Sequence, residues 1–315
     1  HTLADGRFHS GEELGAVFGI SRSAVWKHLK ALADLGISVF PVRGRGYRLA
    51  APIELLEADR ILQAVSPPAD SLLTGLEIHH QLDSTNQQLT RNAHLLKSGH
   101  ACLAESQTHG RGRRGRCWVS PFGASIYLSL LWRFQRSAAG LGGFSLAVGV
   151  AVTRALAEAG AHDVGLKWPN DVFWDGRKLG GILLELSGEA SGPCQVVIGV
   201  GMNVRMSEPS MEIDQPWTDL ESATRQPASR NRLAGLLIRH LLFAAEQYET
   251  QGVGPFLHEW RARDIISGSP VEIHLPGRAV FGTAMGVDEQ GCLILDALGR
   301  EMRFSSGEVS LRLRP

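Results

Sequence analysis

The sequence predicts an α+β protein in three parts. Three observations carry this: a helix, glycine turn, helix and strand pair at the start; an irregular mix of helices and apolar strands to about residue 265; and five short strands after it. The 315 residues suit two or three domains. Hydrophobic residues make up 43% and charged residues 20%, the balance of a globular chain with a core. Formal net charge is zero, so binding to nucleic acid must rest on local patches.

Ser10 to Phe18 is read as a helix capped by Ser10, with Gly19-Ile20 as the turn. Ser21 caps a second helix, Arg22 to Leu35, closed by Gly36. Ser38–Val42 and Tyr47–Leu49 are strand-like and flank Arg43-Gly-Arg-Gly46, which makes a wing. Pro52 is expected to open a helix over Ile53–Val65, and Ser66-Pro-Pro-Ala69 to link it onward. Further helices are expected at Thr85–Leu96, Phe144–Ala159, Asn231–Tyr248 and Pro255–Arg263. Strands are expected at Ala101–Glu105, Ser125–Trp132, Gly165–Trp168, Gly181–Leu186 and Gln195–Val200. This order is not a regular βαβ alternation, which argues against a doubly wound sheet. Val271–His274, Ala279–Met285, Leu293–Asp296, Glu301–Phe304 and Val309–Leu313 then suggest a small barrel.

Cys102, Cys117, Cys194 and Cys292 form no CxxC unit, which argues against a zinc finger and a disulfide scaffold. A reducing cytoplasm is the expected setting. No apolar run reaches the ~18–20 residues that span a bilayer, so a membrane is not an expected partner. No signal peptide is visible, and a start at His1 rather than Met leads us to expect residues upstream.

Four stretches carry chemistry. Gly110-Arg-Gly-Arg-Arg-Gly-Arg116 alternates glycine with arginine, and no acidic residue occurs between Glu105 and Glu158 to neutralise it. Arginine forks suit phosphate and carboxylate, and glycines let the backbone approach a ligand. A solvated basic loop or a nucleic-acid patch is the plainer alternative. The same residues satisfy GxGxxG, but no helix follows and no acidic residue lies ~20 positions on, so the dinucleotide reading fails. Lys167-Trp-Pro-Asn-Asp171, the turn Asp175-Gly176 and Arg177–Glu185 read as a hairpin, with Lys178 early in the returning strand beside Gly180 and Gly181. Asn170 and Asp171 offer oxygens to Mg²⁺ or a ribose; an ordinary hairpin with surface charges is the alternative. Asp83-Ser-Thr-Asn-Gln-Gln88 fits a capping box of Ser84 with Gln87, at a donor-rich helix start. Gly199-Val-Gly-Met-Asn203 is a strand end with glycines and an amide.

In order and spacing these four stretches, with Trp118 after the arginine loop, resemble the biotin–protein ligases, in the form that doubles as a biotin operon repressor. The resemblance runs nearly end to end. It implies a winged helix-turn-helix DNA-binding domain over 1–63, a central mixed-sheet catalytic domain over 64–266 and a C-terminal SH3-like β-barrel over 267–315. It implies an ATP- and Mg²⁺-dependent reaction through biotinyl-5′-AMP, with the biotinyl group passed to a lysine of a biotin carboxyl carrier protein. Lys178, Arg111 and Arg113 are the implied catalytic residues. Ser84, Thr85 and Gln107 fall to the biotin ureido head, and Gly110, Arg111, Lys178 and Gly181 also to biotin. Arg113, Arg114, Arg116, Trp118, Asn170, Asp171, Asn203, Trp217 and Arg312 fall to the nucleotide, Asp171 also to Mg²⁺. Cys117 receives no catalytic role.

For the front part, Ser21, Arg22, Ser23, Lys27, His28 and Lys30 on the second helix and Arg43, Arg45 and Arg48 on the wing are the expected DNA contacts. The resemblance implies operator DNA as the partner, and a homodimer when adenylate, as corepressor, is bound. Two rivals stand beside this reading. A biotin-sensing regulator without catalysis predicts loss of Lys178 or the arginine loop, and both are present. Lipoate ligation uses a related fold, and the Gly110–Trp118 motif favours biotin.

Overall fold

The computed structural model describes residues 1–188, 192–206, 213–275, 278–306 and 310–313, without the side chains of 310, 312 and 313. The first helix, α1, spans Gly11–Phe18 and begins with a full capping box: Ser10 Oγ accepts from Glu13 N and Glu13 Oε2 accepts from Ser10 N. Gly19 turns the chain at φ 66°. Helix α2 spans Arg22–Ala31, capped by Ser21, and its expected last turn tightens into 3₁₀ geometry at Leu32–Leu35. Strands β1 (Val39–Val42) and β2 (Gly46–Leu49) pair antiparallel as the wing. Leu3, Leu14, Val25 and Leu49 form a small separate core beneath them.

His9 ties this unit together. It pairs with Tyr47 on the wing, and its ring nitrogens lie 3.0 Å from Glu13 and 3.0 Å from Asp5. Hydrogen bonds to Glu13 and then to Asp5 raise the His9 pKa. The protonated ring therefore stabilises the winged unit fully below its unfolded pKa of about 6.5, and that stability is lost as pH rises through the higher folded value. Unfolding midpoints measured from pH 6 to 8 are expected to fall with pH in the native chain. His9→Gln is expected to flatten that slope; an equal slope in both would refute the assignment.

The expected helix over Ile53–Val65 forms only as α3, Ala58–Val65. The preceding residues are bonded elsewhere. Leu56 N donates to Glu105 Oε1 at 2.6 Å, Glu57 N donates to Asn231 Oδ1 at 2.7 Å, and Glu54 accepts from Ser229 and Asn231. Ile53 packs on the winged core, whereas Leu56, Ile61 and Val65 belong to the main core. The packing thus passes from the winged core to the main core between Ile53 and Leu56.

The central unit is a mixed seven-stranded sheet in the order β3-β4-β5-β9-β8-β7-β6. Its strands are β3 (Gly75–His79), β4 (His100–Ala104), β5 (Ser125–Phe134), β6 (Gly165–Lys167), β7 (Asp171–Trp174), β8 (Arg177–Gly188) and β9 (Cys194–Asn203). Among these described strands, β3–β4 is the one neighbouring pair that is parallel. One face is buried under α5 (Phe144–Glu158) and α7 (Arg230–Gln251), with α3 packed on α7. The other face carries α4 (Thr85–Asn92), seated on Cys102, Leu131 and Val197 through Leu89 and Ala93. Short α6 (Leu220–Thr224) and α8 (Gly254–Ala262) complete the unit.

Five antiparallel strands follow, in the order β13-β12-β11-β10-β14. They are β10 (Pro270–Leu275), β11 (Arg278–Val287), β12 (Leu293–Ala297), β13 (Arg300–Phe304) and β14 (Ser310–Leu313). Alternate residues Val271, Ile273, Leu293 and Leu295 point into the common core. Among the described residues no β13–β14 ladder closes the barrel. Val309, the expected start of the last strand, lies outside the described residues. No helix among the described residues is long and apolar enough to cross a membrane.

Candidate functional site

The face that carries α4 holds a cavity of about 370 Å³. Its floor is made by glycines on adjacent strands. A Cβ on Gly199 would stand 2.4 Å from Asn86 Oδ1, and one on Gly201 would stand 2.6 Å from the Trp118 ring. Gly181 pairs with Gly201 and also lies under Trp118. Glycine is needed here because the indole and the amide occupy the space a side chain would fill.

Lys178 reaches this floor through a β-bulge. Val172 pairs with Gly180 and Phe173 with Lys178, which leaves Leu179 as the extra residue, fully buried in the core. In an unbroken strand residues 178 and 181 would face opposite sides; one inserted residue puts both on the cavity side. The turn at Asp175-Gly176 has φ values of 46° and 70°, the primed geometry the hairpin signal predicted. Lys178 Nζ lies 2.8 Å from Asp171 Oδ1 and 5.5 Å from the Trp118 ring centroid. Its backbone also pairs with the segment that carries Trp217: Lys178 N donates to Pro216 O and Thr218 N to Lys178 O.

The arginine loop closes one side. Gly110 is packed so tightly that a Cβ would meet Trp118 O at 2.4 Å. The left-handed residues are Arg114 (φ 58°) and Gly115 (φ 73°), not Gly110 or Gly112. A non-glycine residue in that region stores strain and often marks a ligand-binding turn. Arg111 Nη2 is 2.8 Å from Glu185 Oε2. Arg113 donates to Asn170 Oδ1 at 3.1 Å and to the carbonyl of Ser306, so the loop bridges the hairpin and the C-terminal unit.

A hydrogen-bonded chain runs along the inner wall. Gln107 Oε1 accepts from Thr85 N at 2.9 Å and its amide donates to Ser120; Ser129 donates to Asn86 Oδ1 and lies 2.8 Å from the Thr85 hydroxyl; Asn86 donates to Glu185. The expected capping box at Ser84–Gln87 is not formed. Gln107 takes the helix N–H, Gln87 accepts from Arg91, and the Ser84 side chain makes no cap bond.

Of the residues singled out in the sequence, Ser84, Thr85, Gln107, Arg111, Arg113, Arg114, Arg116, Trp118, Asn170, Asp171, Lys178, Gly181, Asn203 and Trp217 all line this cavity. Gly110 stands behind it, and the Arg312 side chain lies outside the described residues. Asn170 is an internal brace: its amide donates to Ile182 O at 2.6 Å while its oxygen accepts from Arg113. Asn203 donates to Thr218 O and holds the Trp217 segment in place. Asn86 and Glu185 lie inside stretches quoted from the sequence but received no role there, and Ser129 was not singled out; a carboxylate amid apolar strand positions is the readable signal among them. Cys117 is exposed at the cavity rim.

Comparison with known proteins decides what this site belongs to. The chain is 43% identical over 311 residues to the bifunctional ligase/repressor BirA of Escherichia coli, covering 98% of this chain and 95% of that protein. The chain belongs to the biotin–protein ligase family. It is 38% identical over 254 residues to the biotin–[acetyl-CoA-carboxylase] ligase of Mycobacterium tuberculosis, which covers 76% of this chain and 92% of that one. Residues 78–203 match the biotin/lipoate A/B protein ligase family, 2–48 a helix-turn-helix domain and 266–312 the biotin protein ligase C-terminal domain. The solved structure of the Aquifex aeolicus biotin protein ligase in complex with biotin and ATP superposes with a TM-score of 0.67 at 27% identity, covering 77% of this chain and all of that one. In this ligase, 78–203 spans α4, the arginine loop and the hairpin of Lys178, so the family match covers most of the cavity wall, with the Trp217 segment beyond it.

The expected DNA contacts lie apart, in the winged unit. Ser21, Arg22, Ser23, Lys27, His28, Lys30, Arg43, Arg45 and Arg48 are all exposed. Ser21 is committed to its cap, accepting from Ala24 N, and Arg45 and Arg48 stack over Phe8.

Proposed function

We propose that this ligase activates biotin with ATP and passes it to a lysine of an acceptor, the biotin carboxyl carrier protein of a carboxylase, in the cytoplasm. In the first step a biotin carboxylate oxygen attacks the α-phosphorus, and the bond to pyrophosphate breaks. In the second, the neutral acceptor amine attacks the acyl carbon, the bond to AMP breaks and the amine proton leaves to solvent. Neither step needs an enzyme nucleophile.

The carrying observation is that Lys178 and Arg111 converge on one glycine-floored cavity, each held by its own carboxylate. Two anions must meet there, and preorganised positive charge offsets their repulsion without reorganisation. Ser84 and Thr85 present hydroxyls, and Gln107 an amide, for a ureido group. Trp118, Trp217 and the arginine loop would shield the hydrolysable anhydride from water. Asp171 fits a Mg²⁺ ion, since such ions take one or two carboxylates and draw most ligands from phosphates and water. Bound there, the ion would neutralise phosphate charge.

Native mass spectrometry after incubation with ATP, Mg²⁺ and either biotin or lipoate tests this reading. A retained biotinyl-adenylate with biotin and nothing with lipoate is expected. Folded protein with no biotin adduct would leave the biotin-sensing regulator as the better reading.

The exposed cations of α2 and the wing support a second role, binding operator DNA as a homodimer. Lys27→Ala with Arg45→Ala is expected to weaken binding to promoter duplex and to reduce the salt slope by about one for each phosphate no longer neutralised. Anisotropy titrations at several salt concentrations read this out; an unchanged slope would remove these residues from the interface.

A further inference from the structure

On the same sheet face as the cavity, beyond α4, β3 and β4 bring together a second cluster of donor groups. Glu77 and His79 lie on β3, His100 and Cys102 on β4. The parallel register pairs Glu77 with Cys102 and Gly75 with His100, so alternation puts all four side chains on one face. The ligand atoms of Glu77, His79 and Cys102 lie within 4.8 Å of one another. His79 Nε2 is 2.9 Å from one Glu77 oxygen, and His100 Nε2 is 3.9 Å from the other. Gly75 makes the second approach possible: a Cβ there would stand 2.4 Å from His100 Nδ1. Gln88 on α4 donates to Glu77 Oε2 at 3.4 Å from above.

We propose that Glu77, His79 and Cys102, closed by His100, form a binding site for Zn²⁺ or a similar divalent transition metal. The donor set decides the class of ion. Thiolate with imidazole and one carboxylate suits zinc-like ions, whereas Mg²⁺ and Ca²⁺ take all-oxygen sets. Donors around tetrahedral zinc stand roughly 3.3–3.8 Å apart, given metal–ligand distances of ~2.0–2.3 Å, so bringing Glu77, His79 and Cys102 onto one ion needs about 1 Å of side-chain movement. Cys102 binds as thiolate and releases its proton to solvent as the metal enters. A Glu–His pair beside a core cysteine is the ordinary alternative. It accounts for the contacts of His79 and His100 with Glu77, and the metal titration below separates it from the site proposed here.

The site borders the cavity. Cys102 pairs across β4 and β5 with Ser129, whose hydroxyl is hydrogen-bonded to that of Thr85 at the start of α4. A bound ion would clamp the strands on which that helix sits.

The test uses the full chain, stripped with chelator, in a Cys117→Ser background that removes the exposed thiol. Titration with Co²⁺ is expected to give visible tetrahedral bands and a near-ultraviolet thiolate charge-transfer band that saturate at one equivalent. Zn²⁺ should bleach both. His79→Ala is expected to weaken binding at least tenfold, and Cys102→Ala to abolish the charge-transfer band. Should Cys102→Ala misfold, His79→Ala and His100→Ala, at half-buried positions, decide the matter. Absence of the charge-transfer band at one equivalent, or a band unchanged in His79→Ala and His100→Ala, would overturn the proposal.

Discussion

Replacing Lys178 with alanine is expected to lower the kcat/KM of adenylate formation by about 10²–10³, equivalent to ~3–4 kcal/mol of transition-state stabilisation. The lysine is set up for this role by three features of the chain. The bulge at Leu179 turns it onto the cavity side, Gly181 leaves room beside it, and Asp171 fixes its ammonium at 2.8 Å. Its side chain is 13% exposed, so its charge acts through little intervening water. As biotin carboxylate approaches the α-phosphate, negative charge concentrates where this ammonium and Arg111 point. Folding should suffer little, because the Asp171 left behind is partly solvated and still reaches water. ATP–pyrophosphate exchange and an unfolding midpoint, measured together, separate the two effects. Lys178→Arg is not expected to restore activity, since a planar fork cannot place its charge where the compact ammonium sits. Exchange within fivefold of the native rate in Lys178→Ala would move the charge-offsetting role to Arg111 and Arg113.

The sequence made the three-part α+β architecture and most of the cavity wall legible, because both depend on local pattern and on short motifs. Hairpin turn, helix caps and the alternation in β10 and β12 follow from residue type alone. What stayed hidden depends on partners distant in sequence. Strand β3 has the pattern Gly-Leu-Glu-Ile-His, half-buried throughout at the sheet edge, and reads as no clear period. Ser84 and Gln87 have the spacing of a capping box, yet Gln107, two elements on, supplies the acceptor instead. Residues 53–57 have helical composition, but their amides and carboxylates are claimed by Glu105 and the start of α7. The bulge that aims Lys178 leaves no mark in composition. Arg114 takes the left-handed region in a loop that also holds three glycines, and composition does not show which residue will do so.

Glu105→Gln and Arg230→Met are each expected to destabilise the protein by about 3–5 kcal/mol, the usual cost of leaving one partner of a buried ion pair uncompensated. Glu105 is 2% exposed and Arg230 3%, with Arg230 Nη1 2.8 Å from Glu105 Oε2. The contact is an ion pair outside hydrogen-bond alignment, and the well-aligned bonds go elsewhere. Arg230 donates to the carbonyls of Ser125 and Glu54, and Glu105 Oε1 accepts from Leu56 N. The pair thus fastens residues 54–56, which join the winged unit to the sheet, to β5 and α7. Arg230→Met strands a buried carboxylate. Glu105→Gln leaves a buried guanidinium with carbonyl partners only. The double variant removes both charges, so it should be less destabilised than the sum of the singles, by at least ~1 kcal/mol of coupling. Urea midpoints for the four proteins measure this, and proteolysis between residues 50 and 57 should quicken in both singles. If the double variant instead loses the sum of the two singles, the charges act independently. Packing of Ile61 and Val65 on α7 would then be the attachment that holds α3 and its linker in place.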